Sequence, residues 1–345
     1  MSGVQTIEIA PGDGGQRLDR FLKRAFPGLG QGRIEKMCRK GELRLDGGRV
    51  KASTRVAEGQ MLRVPPLPEP GKPDDRPAVS PQDAEMIRAA VIYSDDHILA
   101  LNKPPGLPVQ GGTKQARHVD GLAPALQFDA GEPPRLVHRL DKDTSGVLLM
   151  ARTRAVAAAL TSSFRHRATR KIYWAAVAGA PQPSAGSIRW GLVKAGGHGK
   201  GGEGEKMRVV HPDEVDSVDG AKRALTEFAT IEALGKRAAW MALVPVTGRT
   251  HQLRAHMAAL GHPIAGDGKY GGSGQENLGD GWGAGLGGGI SKKLHLHARS
   301  LTLEHPVTKR PLHLTAPLPE HMARTWEDVG WDASAAPVDP FEDLA

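Results

Sequence analysis

A single cysteine, Cys38, occurs in 345 residues. It excludes an internal disulfide and a thiolate metal cage, and it fits a reducing cytoplasm. No apolar run approaches the roughly 20 residues that a membrane-spanning helix needs, so no membrane partner is expected. The opening residues have neither a basic start nor an apolar segment, and no secretory signal is visible in them. There is no phosphate-cradling GxxxxGKS or GxxxxGKT run, and no GxGxxG between a strand and a helix. Without a GxSxG elbow, a serine hydrolase of that kind is remote. His251 and His256 stand five apart rather than four, with no acid between them as in HExxH. His295 and His297 alternate with leucines and could equally satisfy backbone groups. No metal site is expected from these histidines, and no internal repeat is evident.

What is present is an ordinary globular composition, 39% hydrophobic and 24% charged, in a chain long enough for two domains. The net charge of +8 is unevenly spread. Residues 1–64 carry 13 Lys and Arg against 7 acids, whereas residues 326–345 carry 6 acids and no cation. A basic body suggests a polyanionic partner, because phosphate neutralisation dominates nucleic-acid affinity. A gain in solubility alone is the alternative.

At the N-terminus, Leu18, Phe21, Leu22 and Ala25 fall at helical spacing. A second helix is expected over Gln31–Lys40, with Ile34 and Met37 inward, Arg33, Lys36, Arg39 and Lys40 outward, and Gly41 as its cap. Glu42–Leu45 and Arg49–Lys51 read as strands around the turn Asp46-Gly47-Gly48, and Val56–Val64 closes the sheet. With RLDRFL, RKGELRLDGGRV and EGQMLRVPP, residues 16–64 resemble the alpha-L RNA-binding module first described in a small-subunit ribosomal protein. That likeness makes Arg33, Lys36, Arg39 and Lys40 candidate RNA contacts; a solvated charged face is the other account of them. Residues 65–81, rich in proline and charge, are expected to be a linker.

The larger domain is expected over 83–325, followed by an acidic tail, 326–345, that drapes over the surface or stays disordered. At its centre is RLVHRLDKDTSGVLLMAR, residues 135–152. The turn at Thr144-Ser145-Gly146 feeds an apolar run, Val147–Ala151, that reads as a strand buried on both faces. Asp141 then stands at the mouth of a loop feeding a core strand, with Arg139 two residues before it. Such an acid is a candidate for chemistry, and an ion pair that only fixes the turn is the alternative. A helix is expected over Thr153–Phe164, and strands over His97–Lys103, Lys171–Val177, Leu225–Ile231, Trp240–Val246 and Leu294–Leu303, with another at Leu312–Thr315. Thr247-Gly248-Arg249-Thr250 leads into a helix, His251–Leu260. The glycine-rich stretches 196–206 and 271–290 are not core elements. Many strands, few helices and no repeated strand–helix unit predict an α+β domain with a mixed, largely antiparallel sheet.

HRLDKDTSG at 138–146, KIYWAAVAG at 171–179, TGRTHQLRAH at 247–256, and the later GDGKYG and LHLHA, resemble the RluA/RluC/RluD family of pseudouridine synthases. With DDHILALNKPPGLPVQGG the likeness runs from about residue 91 to 315, and the N-terminal module looks most like the RluC branch, which acts on large-subunit ribosomal RNA. The resemblance implies that Asp141 is the essential nucleophile, attacking the sugar or the ring or acting through a glycal. Asp143 is its neighbour and competitor. The resemblance makes Arg254 the partner of Asp141, since a nearby guanidinium favours a carboxylate's charged form. It places Tyr173 against the target base, where it could take a proton, and Leu253 in the apolar wall. A uridine in folded RNA must leave its stack, and Arg139 is implied to fill the space. The implied product is an isomer of the substrate, so no cofactor is expected; the expected partner is ribosomal RNA, with no protein partner and a monomeric chain. A non-catalytic ribosome-assembly protein of the same fold, or a metal-dependent nucleotide hydrolase, are the alternatives.

Overall fold

The computed structural model describes residues 3–26, 28–67, 79–111, 117–165, 169–195, 206–271 and 290–342. The chain divides into two compact units, Met1–Ala78 and Val79–Ala345.

The first unit begins with strand β1 (Gln5–Glu8) and helices α1 (Leu18–Ala25) and α2 (Gln31–Lys40). Strands β2 (Arg44–Leu45), β3 (Gly48–Arg49) and β4 (Met61–Val64) follow, in one antiparallel sheet of order β1-β4-β2-β3. Leu18, Phe21 and Leu22 of α1 and Ile34 and Met37 of α2 pack on Leu43, Leu62 and Val64, as their spacing dictates. Gly41 stops α2 in the left-handed region, φ 69°. The unit starts earlier than residue 16. β1 pairs with β4 from Gln5↔Val64 to Glu8↔Met61, and Ile9 is fully buried. The alternation through Ile7 and Ile9 is its signal in the sequence.

The second unit opens with α3 (Pro81–Ala89), β5 (Val91–Ser94), β6 (Ile98–Lys103), α4 (Val119–Leu122), β7 (Arg135–Leu136), β8 (Ser145–Ala151) and α5 (Arg154–Arg165). It continues through β9 (Thr169–Ala178), β10 (Ala185–Ile188), β11 (Gly191–Lys194), β12 (Met207–Val210), β13 (Lys222–Arg223), β14 (Thr226–Leu234) and β15 (Ala238–Pro245). Helix α6 (Gln252–Ala259), β16 (Leu296–Glu304), β17 (Pro311–Thr315) and α7 (Glu320–Val329) complete it. The linker expected over 65–81 overlaps α3. Ser80 caps that helix by accepting the Asp83 N–H at 3.1 Å, and Pro81 suits its first position. Residues 68–78 lie outside the described ones, as do 196–205 and 272–289, the bulk of the two glycine-rich stretches.

The central sheet has ten strands. Eight run in the order β10-β14-β15-β9-β16-β8-β6-β5, with β17 on β16 and β7 on β8. Every described pairing in it is antiparallel except β16 with β8. It is the mixed, largely antiparallel sheet that the sequence predicts. The period of two sends alternate residues to opposite faces. Leu148 and Met150 of β8 join Ile87 of α3, while Val147 and Leu149 join Val156 and Leu160 of α5. Farther along, Ala175, Met241 and Leu243 cover α6, and Trp174 and Trp240 cover α7. The expectation of a tail from 326 onward is corrected. Trp326 lies within α7, and Trp326 and Trp331 are 2% and 5% exposed, packed on Trp240 and each other. Burying two indoles outweighs the acidity of the segment. Farther on, Arg170 pairs with Asp339 at 2.5 Å and covers Phe341. Among the described residues no helix is long and apolar enough to cross a membrane.

Candidate active site

The loop that carries Asp141 is fixed on several sides. His138 accepts the Leu149 N–H through Nε2 at 2.8 Å. Burial first, then Lys171, pushes that imidazole down to about 3, so it stays a neutral acceptor. Asp141's own carbonyl accepts the Thr144 N–H at 3.2 Å. Gly146 holds φ +108°, and a Cβ there would stand 2.2 Å from the Ala298 carbonyl oxygen. Only glycine therefore lets β8 run beside β16 at this point. Nearby, the fully buried Lys103 ammonium donates to the carbonyls of Pro104 and Leu107, both at 2.9 Å, and of Lys142 at 3.0 Å. Burial lowers its pKa to about 7, opposed by Asp143 and Asp141.

The other wall comes from α6. Gln252 holds the preceding turn: it accepts the Thr247 hydroxyl at 2.7 Å and the Arg249 N–H at 3.1 Å, and donates to the Leu225 carbonyl at 2.8 Å. His251, with φ 50°, occupies the left-handed region that a non-glycine residue seldom adopts. Its Nε2 stands 3.9 Å from Asp141 Oδ2, and Arg254 Nη1 stands 3.9 Å from the same oxygen. Arg254 is itself clamped by Asp267, with Nε–Oδ2 and Nη2–Oδ1 both 2.7 Å. Burial works against the guanidinium's charge, but the Asp267 hydrogen bonds and charge, with Asp141 behind them, leave its pKa raised. The Tyr270 hydroxyl accepts the Met207 N–H at 2.8 Å and lies 2.9 Å from His251 Nδ1. The network is satisfied when the phenol donates to Nδ1, which assigns the imidazole proton to Nε2, facing Asp141. Burial lowers the His251 pKa more than Asp141 raises it, consistent with a neutral ring.

Asp141, Tyr173, Arg254, Arg139 and Leu253 all line one cleft of about 1070 Å³. Arg139 lies exposed at its edge, Leu253 is buried in the wall, and Asp141 keeps 20% of its side chain accessible. Asp143 does not line it. Among the described residues, seven Lys and Arg against three acids surround the space, which suits a polyanion. Tyr173 has its pKa raised by burial first and then by the charge of Asp141. Arg33, Lys36, Arg39 and Lys40 are all exposed on α2, in the other unit. Among the described residues no group of three His, Cys, Asp or Glu could hold a metal ion. Sequence reasoning missed His251, Asp267, Tyr270 and Lys103. His251 was weighed only as a metal ligand, although it shares TGRTHQLRAH with Arg254; GDGKYG already holds Asp267 and Tyr270.

Residues 97–259 match the RNA pseudouridylate synthase family, and residues 16–62 match the S4 domain. Ribosomal large subunit pseudouridine synthase C of Salmonella typhi is 36% identical over 330 residues, covering 94% of this chain and 96% of that protein. Its namesake from Escherichia coli (strain K12) is 36% identical over 327 residues, covering 93% and 95%.

The chain belongs to the RNA pseudouridylate synthase family.

The solved structure of human RNA Pseudouridylate Synthase Domain Containing 4 superposes with a TM-score of 0.56 at 29% identity, covering 72% of this chain and 95% of that one. In this cleft the Asp141 carboxylate has the Arg254 guanidinium and the His251 imidazole as its charged and polar neighbours, each at 3.9 Å.

Proposed function

We propose that this pseudouridine synthase modifies selected uridines of large-subunit ribosomal RNA, with Asp141 as its nucleophile. The observation that carries the proposal is an accessible carboxylate oxygen with Arg254 and His251 both 3.9 Å away, on the wall of a cleft of about 1070 Å³. The substrate class is supported by the two relatives named as large-subunit synthases, whose lengths this chain spans almost entirely. In the reaction the C–N bond between uracil and ribose breaks and a C–C bond forms. One proton leaves the ring carbon and one is gained at the freed nitrogen. Atoms and charge balance without a cofactor. Attack on the sugar, attack on the ring and passage through a glycal all use the same charged oxygen. Arg254 and the Nε2–H of His251 hold it in place. The raised pKa keeps Tyr173 a neutral phenol, which suits a wall for the base and works against proton abstraction. Arg139, exposed at the edge, fills the stack that the uridine leaves. Arg33, Lys36, Arg39 and Lys40 hold RNA phosphates, and the protein acts as a monomer in the cytoplasm.

The experiment is Asp141→Asn, assayed on ribosomal RNA from cells that lack the protein. Pseudouridine formation falls by at least about a thousandfold while RNA binding is kept. Formation retained by the folded variant removes Asp141 from its role. Wild-type protein that binds this RNA and leaves every uridine unchanged would make the chain a binding protein instead.

A further inference from the structure

We propose that a second cleft of the catalytic unit seats a phosphate of the substrate RNA, within about two nucleotides of the target uridine. The proposal rests on the functional reading only in taking the polyanion to be RNA. This cleft, of about 620 Å³, lies among Pro105, Gly106, Gly266, Gly268 and Lys292–Leu294. Lys206, Lys269, Lys292 and Lys293 line it, and among the described residues Asp143 is the one acid on its wall. Among the described residues, the cations on this wall outnumber the acids, which suits a phosphate.

Its position relative to the chemistry follows from shared residues. Arg254 lines this cleft and the larger one. Asp143 belongs here and Asp141 to the larger cleft, and two residues of chain separate their backbones by at most about 7 Å. That reach is comparable to the step between neighbouring phosphates of a splayed strand. A strand that delivers its uridine to Asp141 therefore carries an adjacent phosphate past the lysines. Gly266 keeps the walls together. At φ +71° it approaches the Lys293 carbonyl so closely that a Cβ would stand 2.0 Å from that oxygen. The segment bearing Lys292 and Lys293 is thereby held against the one bearing Lys269. Ammonium groups act here as point charges, so the cleft fixes the strand's register and reads no base.

The test measures binding with Asp141→Asn protein, so that its outcome does not depend on isomerisation. The probe is a short single-stranded RNA with one central uridine, in natural form and with each neighbouring linkage replaced in turn by a neutral methylphosphonate. With the lysines intact, neutralising one linkage beside the uridine weakens binding about tenfold. With Lys206, Lys269, Lys292 and Lys293 changed to Gln, natural RNA binds about tenfold more weakly, and the same methylphosphonate no longer matters. The slope of log affinity against log salt falls by about 0.7 for the phosphate lost. A methylphosphonate penalty that persists at the same linkage in the Gln variant overturns the proposal, as does an unchanged salt slope. The Lys→Arg versions should bind as the parent does, and tryptophan fluorescence checks that each variant is folded. Should the Gln variant not fold, the Lys292→Gln, Lys293→Gln pair is read by the same criteria. A protein that binds in this pattern but never makes pseudouridine would sink the functional reading and leave the phosphate seat standing.

Discussion

Arg17–Asp19 in the N-terminal unit and Arg254–Asp267 in the catalytic unit are both two-point arginine–aspartate pairs, and their surroundings differ. Arg17 keeps 46% of its side chain in solvent, and Asp19 keeps 9% and takes a further bond from Gln31 at 3.4 Å. Arg254 and Asp267 keep 8% and 0%. The outer pair trades water for a partner at little net gain. The inner pair cannot lose one member without stranding the other away from water. The same contrast runs through both units. In the first, charge is displayed on the exposed side of α2. In the second, Lys103, Arg254, Asp267 and several histidines are buried, and their burial fixes the groups around Asp141.

The contrast is broken most severely at Arg254. Arg254→Met should destabilise the catalytic unit by about 3–5 kcal/mol, because Asp267 is left charged and enclosed. Arg17→Met should cost no more than about 1 kcal/mol. Denaturant unfolding followed by tryptophan fluorescence checks the first, since all six tryptophans lie beyond residue 173. Amide exchange over residues 3–67 checks the second. Adding Asp267→Asn to Arg254→Met should restore most of the lost stability and none of the activity. Recovery of activity by the double variant would mean that Arg254 acts only through Asp267 and has no part beside Asp141.

Acid is the next separator. Every one of the 14 histidines lies after residue 96, and none lies in the N-terminal unit. Burial lowers His256 and His295 to about 4, and His138 and His297 to about 3. Their unfolded counterparts titrate near 6.5. Below that value the unfolded chain takes up protons that the folded unit refuses. The stability these rings contribute is thus fully present above pH 6.5 and lost as pH falls through 4 and 3. Catalytic-unit stability should drop by at least about 2 kcal/mol between pH 7 and 5, the share of one such ring. In the N-terminal unit Asp19 is lowered below its ordinary 3.8 by the Arg17 hydrogen bond, so its contribution survives to about pH 4. Equal loss of both units over this range would show that their histidine content does not govern acid stability.

Legibility in the sequence follows the same division. α2 was readable from Gln31 to Lys40 because local rules suffice: spaced Ile34 and Met37, then a glycine that accepts the left-handed turn. β8 was readable because a strand buried on both faces is an uninterrupted apolar run. The small sheet of β11, β12 and β13 escaped, since its strands are two to four residues long and carry no steady alternation. The tail misled through its charge, which says nothing about where two tryptophans pack. In the site, the turn before a buried strand singled out Asp141 with Arg139 beside it, and motif likeness added Tyr173, Arg254 and Leu253 and gave all five their expected roles. Period and spacing could not have brought Asp141 to within 3.9 Å of a residue 113 positions later. Asp267, Tyr270 and Lys103 gain their importance from burial and from partners far along the chain, and no local pattern encodes either.

The mildest break concerns displayed charge. Changing Arg33, Lys36, Arg39 and Lys40 together to Gln should leave stability within about 0.5 kcal/mol, because all four side chains are exposed. The ion pair of Lys40 with Glu42 at 3.7 Å is of the surface kind. Affinity for ribosomal RNA should fall about tenfold, and the dependence of log affinity on log salt should flatten by one or more, while kcat at saturating RNA is unchanged. The distinction is between holding and converting: on the proposed reading, losing a phosphate contact in the first unit changes how often a strand is bound and leaves the rate of conversion of a bound uridine as it was. An unaltered salt slope would make α2 a solvated face. A drop in kcat without loss of affinity would mean that the N-terminal unit takes part in presenting the uridine, and that display and chemistry are not as separate as the two arginine–aspartate pairs suggest.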